Sequence, residues 1–178
     1  MAVENKYIDP NVAAGTMGDN LFICGEKSLH MRVGFDINAA DDAGSKYRLA
    51  KALPANIRLL NVHIYNDAIA GATDVDLGAY GSDLLDGDLT STGNPDFGVS
   101  LFDDGLDLSS AHAIDSPLIG LTNVSLDDLT KRVSTICVDT GLMTNNGPSL
   151  FDLVLTVNTN PTATGHVVVD IEFMPEGC

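Results

Sequence analysis

The sequence has no tryptophan and few bases: nine Lys and Arg stand against 25 Asp and Glu, for a formal charge of −16 over 178 residues. None of those bases falls between residues 59 and 130, a stretch that holds thirteen of the acids. Nucleic-acid affinity comes mainly from Lys and Arg on phosphates, so the expected partners include no nucleic acid. An anionic membrane surface is disfavoured for the same reason. No stretch approaches the roughly 20 apolar residues that span a bilayer, so no membrane partner is expected. The opening Met1-Ala2-Val3-Glu4-Asn5-Lys6 lacks the basic cap and apolar core of a signal peptide, and synthesis in a cytoplasm is the expectation. The three cysteines, Cys24, Cys137 and Cys178, have no metal-type spacing. Cys24 and Cys137 lie in apolar runs and read as buried thiols, while the terminal Cys178 reads as a mobile thiol.

Catalytic signatures are missing too. There is no Gly-x-Ser-x-Gly elbow and no phosphate-cradling Gly-x-x-x-x-Gly-Lys. Ser109 and Ser110 are too close to His112 in sequence to be read with it as a triad. His30, His63, His112 and His166 share no ligand spacing, and three of them fall at polar-face positions of strands. The expectation is no catalytic residue, no cofactor and no enzyme activity. Asp83, Asp86 and Asp88 around Gly87 are weak Ca²⁺ candidates, because hard oxygen ligands must converge around a tight bend. The 12-residue loop spacing is absent, and Asp and Gly are ordinary turn residues, so the reading is a solvated turn and no metal. Asp103-Asp104-Gly105-Leu106-Asp107 is read the same way.

What is present is apolar content of 44% arranged at period two. A chain of this length buries about 68–70% of its unfolded surface and needs no staple. Leu29, Met31, Val33, Phe35 and Ile37 share one parity, and Asp41 to Gly44 make a turn. Ser45 to Leu53 is a second strand, closed by Pro54, and Arg58 to Tyr65 a third with both faces covered. Val75, Leu77 and Ala79 point inward, with Asp74, Asp76 and Gly78 outward. Residues 81–98 read as a loop, and Phe97 to Leu108 has no clean period. A short helix is expected over 125–132, with Ser125 as N-cap and Asp128 three residues on. Val133 to Val138 reads as a strand, and residues 151–173 as a hairpin burying Phe151, Leu153, Leu155, Val157, Val167, Val169, Ile171 and Phe173. Short strands, Gly-rich turns and one helix predict an all-β fold: an antiparallel, jelly-roll-like β-sandwich over residues 20–178. Residues 1–19, with Pro10, Gly15 and Gly18 and no period, read as an extended N-terminal arm. The acids of 59–130 read most simply as a solvated outer face; the sharper alternative is that the neutral part docks and the acidic part faces solvent.

The segments Leu53-Pro54-Ala55-Asn56-Ile57-Arg58-Leu59-Leu60, Asp74-Val75-Asp76-Leu77-Gly78-Ala79-Tyr80, Leu85-Asp86-Gly87-Asp88 and Leu106-Asp107-Leu108-Ser109-Ser110-Ala111 occur in an order shared with a known family. Together with the closing strand Thr164 to Phe173, that order resembles small virion structural proteins of tailed bacteriophages, of the head decoration, or cement, type. The likeness spans residues 50–173. The chain departs from it at Leu89, where a larger aromatic is usual, and in the insertion Thr90 to Gly98. The resemblance implies a non-enzymatic protein on the capsid exterior that is made in the host cytoplasm. Its implied partners are the major capsid protein and copies of itself in a homotrimer. The arm residues Tyr7, Ile8, Pro10 and Val12 are the candidate capsid contacts, since an extended arm can lie along a neighbour. The alternatives are another virion component, such as a tail or head fibre, or a Ca²⁺-dependent β-sandwich binding module. A carbohydrate-binding module is opposed by the missing tryptophan and by only four tyrosines to stack on sugars.

Overall fold

A computed structural model describes residues 5–7, 28–82, 96–125, 127–140 and 150–175. Among the described residues, nine strands build two facing sheets. They are β1 (Asn5–Tyr7), β2 (Leu29–Ile37), β3 (Ser45–Pro54), β4 (Ile57–Asn66), β5 (Val75–Gly81), β6 (Asp96–Leu106), β7 (Leu118–Ile119), β8 (Leu150–Val157) and β9 (Gly165–Pro175). One sheet runs β1-β3-β8-β5-β6 and the other β2-β9-β4-β7. Every pairing is antiparallel except that of β1 with β3. The antiparallel β-sandwich expected from the alternating pattern is therefore the fold.

The core forms where the two inner faces meet. Phe151, Leu153, Leu155 and Val157 of β8 oppose Val167, Val169, Ile171 and Phe173 of β9, and all eight are at most 2% exposed. The expected buried set is thus right, but the expected hairpin is not. β8 pairs with β3 and β5, β9 pairs with β2 and β4, and residues 158–164 cross from one sheet to the other. Phe35 stacks on Tyr47 at 5.0 Å between centroids, and Phe102 packs tilted against Phe151 at 6.5 Å. Both pairs add to the area they bury.

Three further elements differ from expectation. Val133–Asp139 is an α-helix, α1, and not a strand. Its β-branched residues favour extension, but Val133, Ile136 and Cys137 fall at helical spacing and all three are buried. Packing overrides propensity here. Thr140 closes the helix, its N–H and hydroxyl both donating to the Ile136 carbonyl. The helix expected over 125–132 shrinks to a 3-10 turn at Asp128–Thr130. Ser125 still caps it, accepting from the Asp128 N–H at 3.1 Å. Lys131 then reaches Asp127, Asp128 and Asp139 at 2.8–3.0 Å and ties the turn to the end of α1. Phe97 to Leu108, without a period in the sequence, lies largely in β6; three register shifts against β5 erase the alternation.

β5 was expected to have one wet face, yet all seven of its residues are buried. The start of β6 folds over the outward side. A Cβ on Gly78 would meet the Gly98 and Val99 carbonyls at 2.2 and 2.3 Å, so only glycine fits. β4, expected to be covered on both faces, is only half-buried on its outer side, and a bulge near Leu60 puts Leu59, Val62 and Ile64 on the core side. The acids of 59–130 do not form one face: Asp76 and Asp103 are buried, and Asp127 and Asp128 hold Lys131.

Candidate functional site

The two outer faces of the sandwich differ. On the five-stranded sheet, Arg48, Tyr80, Asp152, Val154 and Thr156 point away from the core and are still buried. Arg48 Nε lies 2.8 Å from Asp152 Oδ2, with both side chains fully enclosed. Asp152 Oδ1 accepts the Ala52 N–H at 2.8 Å. Burial raises the Asp152 carboxyl above its ordinary range, against the pull of the Ala52 N–H and the Arg48 charge. Ala52 lies within the second of two register shifts of β3, between Ala50 and Leu53, at φ 55°, a left-handed conformation rare outside glycine. Lys46 Nζ stands 5.0 Å from the Tyr80 ring centroid, and the Tyr80 hydroxyl meets Thr156 Oγ1 at 3.1 Å.

The outer face of the four-stranded sheet is open. Its register aligns His30 with Glu172, Arg32 with Asp170 and His63, Gly34 with Val168 and Tyr65, and Asp36 with His166. Arg32 grips Asp170 with two parallel bonds of 2.5 Å and holds its carboxyl below the usual range. His166 Nδ1 lies 2.6 Å from Asp36 Oδ1; the carboxylate only accepts, so Nδ1 donates. The imidazole lies over Gly34, where an added Cβ would come within 3.3 Å of Nε2.

This face ends in a cavity of about 300 Å³ between the end of β4, the start of β9 and the loop 111–113. Tyr65, Ala111, Ala113 and Val168 form its apolar wall. Asn66, Asp67, His112 and His166 form its polar wall. Asn66 holds the loop in place by exchanging backbone bonds with His112 at 2.9 and 3.1 Å. Its Nδ2 faces the carbonyls of Asp67, Leu108 and Ser110 at 2.6–3.0 Å. Its Oδ1 is buried with no hydrogen-bond partner among the described residues. Asp67 Oδ2 accepts the His166 N–H at 3.1 Å. Ile114, 79% exposed, follows Ala113, and Ile119, 53% exposed, pairs across from His63; they are the exposed large hydrophobics among the described residues.

A second polar cluster lies at the β5–β6 edge, where carboxylate oxygens of Asp74, Asp76 and Asp104 lie within 4.8 Å of one another. Gly105 N–H and Asn158 Nδ2 point at two of them. Asp103 instead accepts from the N–H and hydroxyl of Thr122, and Asp107 from the Ser109 N–H, so those two acids shape loops.

Of the residues singled out in the sequence, Tyr7 ends β1 and pairs in parallel register with Arg48. Ile8, Pro10, Val12, Asp83, Asp86 and Asp88 lie outside the described residues, as do Cys24 and Cys178. Cys137 is buried, as expected, and burial pushes its thiol up to about 11. The structure brings His112 and His166 into the lining of one cavity although they are far apart in sequence, while His63 stands opposite Asp170, away from it. Asn66 and Asp67 carry no motif and could not be found by spacing, because the cavity is built from three separate segments.

No family model matches the chain, and no curated protein does. Among solved structures, a chain from the capsid of Ralstonia phage GP4 superposes with a TM-score of 0.62 at 14% identity, covering 97% of this chain and all of that one. A chain from the cyanophage Pam1 capsid gives 0.38 at 17% identity over 84% of both chains. The major capsid protein of bacteriophage PM2 gives 0.35 at 16% identity, over 85% of this chain and 46% of that one. This chain therefore has the fold of a chain found in the Ralstonia phage GP4 capsid.

Proposed function

We propose that this protein is a non-enzymatic virion structural protein that decorates the exterior of a bacteriophage head by binding the major capsid protein. The observation that carries this reading is the end-to-end likeness to a chain of a phage capsid, with neither partner of the superposition left with an unmatched domain. The ordered sequence segments between residues 50 and 173 support the same class independently. A homotrimer is part of the proposal, as is an arm over residues 1–19 that reaches a neighbour beyond its own pairing with β3 at residues 5–7. The acidic surface suits the role, because a protein made in many copies gains from not binding DNA that has yet to be packaged.

The test is to add the purified chain to heads that lack it and image them by electron microscopy. Regularly spaced density on the outer surface is the expected result, with a trimer mass in light scattering. Density on the tail, or none on the particle, rejects head decoration. A chain lacking residues 1–19 also loses β1 from the edge of the five-stranded sheet, so it is expected to unfold at lower urea as well as to bind the heads more weakly.

A further inference from the structure

Among the described residues each sheet ends in two edge strands, and three of those four edges are blunted. β1 has three residues and β7 has two. β6 is long, but three register shifts against β5 break its edge. β2 is the exception. It stands at the end of the order β2-β9-β4-β7 and pairs with β9 over nine residues without a shift, an unbroken edge of about 30 Å. Every second residue of an edge strand directs its N–H and C=O away from its one neighbour. Among the described residues no backbone group pairs with Leu29–Ile37 on that side. β2 also has no proline, no lysine and no charge facing the core, the devices that keep an edge from pairing.

We propose that β2 adds antiparallel to β2 of a second copy of this chain, about a two-fold axis beside Val33, so that two four-stranded sheets run on as one. The strand is complementary to itself in that register. On the core side Leu29 meets Ile37, Met31 meets Phe35 and Val33 meets its own counterpart. On the outer side His30 meets Asp36 and Arg32 meets Gly34, each twice by symmetry. The His30 and Asp36 side chains are exposed, and His166 occupies only Oδ1 of Asp36, which leaves Oδ2 for the incoming imidazole. Arg32, held over Asp170, finds no side chain opposite it at Gly34. Sliding one strand by one residue sets core-side residues against outer ones. Sliding it by two sets Arg32 on Arg32, or draws Asn38 of the following turn into the pairing and leaves Leu29 without a mate.

A second copy fits this edge better than a loose extended peptide. Its strand is already held straight by β9, so pairing costs little of the ordering entropy that a peptide loses. The charge of −16 on each copy does not forbid the contact. Within β2 Arg32 and Asp36 cancel, and exposed charges more than about 8 Å apart are largely screened at physiological ionic strength. The contact is two-fold, so it is distinct from that of the proposed trimer; it joins copies of adjacent trimers and does not rest on head binding.

The test is the mass of the full chain by light scattering from about 10 μM to about 1 mM, with amide exchange of the ¹⁵N-labelled chain at both ends of that range. The mass is expected to rise with concentration, and alternate amides of Leu29–Ile37 to exchange at least about tenfold more slowly at the high end. Gly34→Lys sets a lysine opposite Arg32 of the second copy and should weaken association at least about tenfold. Gly34→Asp sets a carboxylate there and should leave association as strong or make it stronger. In both variants the added Cβ meets the same His166 ring at 3.3 Å, and that ring is exposed and can give way. The two variants therefore separate charge across the contact from bulk within the chain. Loss of association in both overturns this pairing and assigns the edge to another occupant. Association that neither variant alters overturns it, as does a constant mass with fast exchange throughout β2. Head binding is read separately: a chain that associates through β2 but binds no head rejects the virion reading and leaves this contact standing.

Discussion

Two sheets share one core and yet treat their other faces in opposite ways. The five-stranded sheet encloses its outer charges, with Arg48 and Asp152 fully buried. The four-stranded sheet leaves Arg32 65% exposed beside Asp170. The same chemistry, a guanidinium beside a carboxylate across neighbouring strands, has opposite consequences. Burial lifts the Asp152 carboxyl, whereas the accessible Arg32 lowers that of Asp170. The difference teaches that one face is closed within the chain while the other stays accessible.

The most drastic way to break the comparison is to remove what the faces share. Phe173→Ala opens a cavity in the common core and is expected to cost about 3–5 kcal/mol in urea unfolding. Arg48→Met leaves Asp152 buried without its cation and is expected to cost about 3–5 kcal/mol. Replacing both with apolar residues of like volume should recover most of that loss. If Arg48→Met were neutral, the covered face would be no different from the open one.

The pH dependence sharpens the contrast, because the signs are opposite. Asp170 is depressed in the fold, so its contribution is present above its unfolded pKa and is lost as pH falls through the lower folded value. Asp152 is raised, so its contribution is full below the ordinary carboxylate range and is lost as pH rises through the raised value. Urea midpoints measured from about pH 3 to about pH 7 should show a smaller acid-side fall in Asp170→Asn, since Asp107 and Asp128 are depressed as well, and a smaller opposing slope in Asp152→Asn.

Smaller still is the effect of Arg32→Ala, an exposed pair expected to move the urea midpoint little, with the Asp170 carboxyl moving back toward its ordinary range in a ¹³C titration. Smallest is a chemical probe of the core: buried Cys137, its thiol near 11, should resist a thiol reagent in the native chain and react only on unfolding. Fast native labelling at Cys137 would mean that α1 opens readily.

How much of this could be read from the residues alone depends on the range of the interaction. Period two in 29–37, 151–157 and 167–173 reports local burial, and those strands and their inward residues emerged correctly. Pairing does not leave such a trace: the loop 158–164 has the same turn chemistry whether it closes a hairpin or carries the chain between sheets. Val133–Asp139 carries both patterns at once, β-branched for a strand and apolar at positions 133, 136 and 137 for a helix. Only the packing of that segment against the end of the sandwich, where the Ser134 N–H reaches the Ala55 carbonyl at 3.0 Å, decides between them. The cavity was illegible because its polar wall is set by long-range contacts, Asn66 with 108–112 and Asp67 with His166.

Ala52 has one more consequence. Its amide is held by the carboxylate of Asp152, and its backbone turns left-handed within the second shift of the ladder. The bend of β3 is thus written in three places, by a cation at 48, a small residue at 52 and an acid at 152. A change at any one of them strands the other two, so across descendants of this chain the three should be inherited, or replaced, together. The open face is bound more loosely: its pairs, Arg32 with Asp170 and His166 with Asp36, stand in solvent, where either partner can change at little cost to the fold.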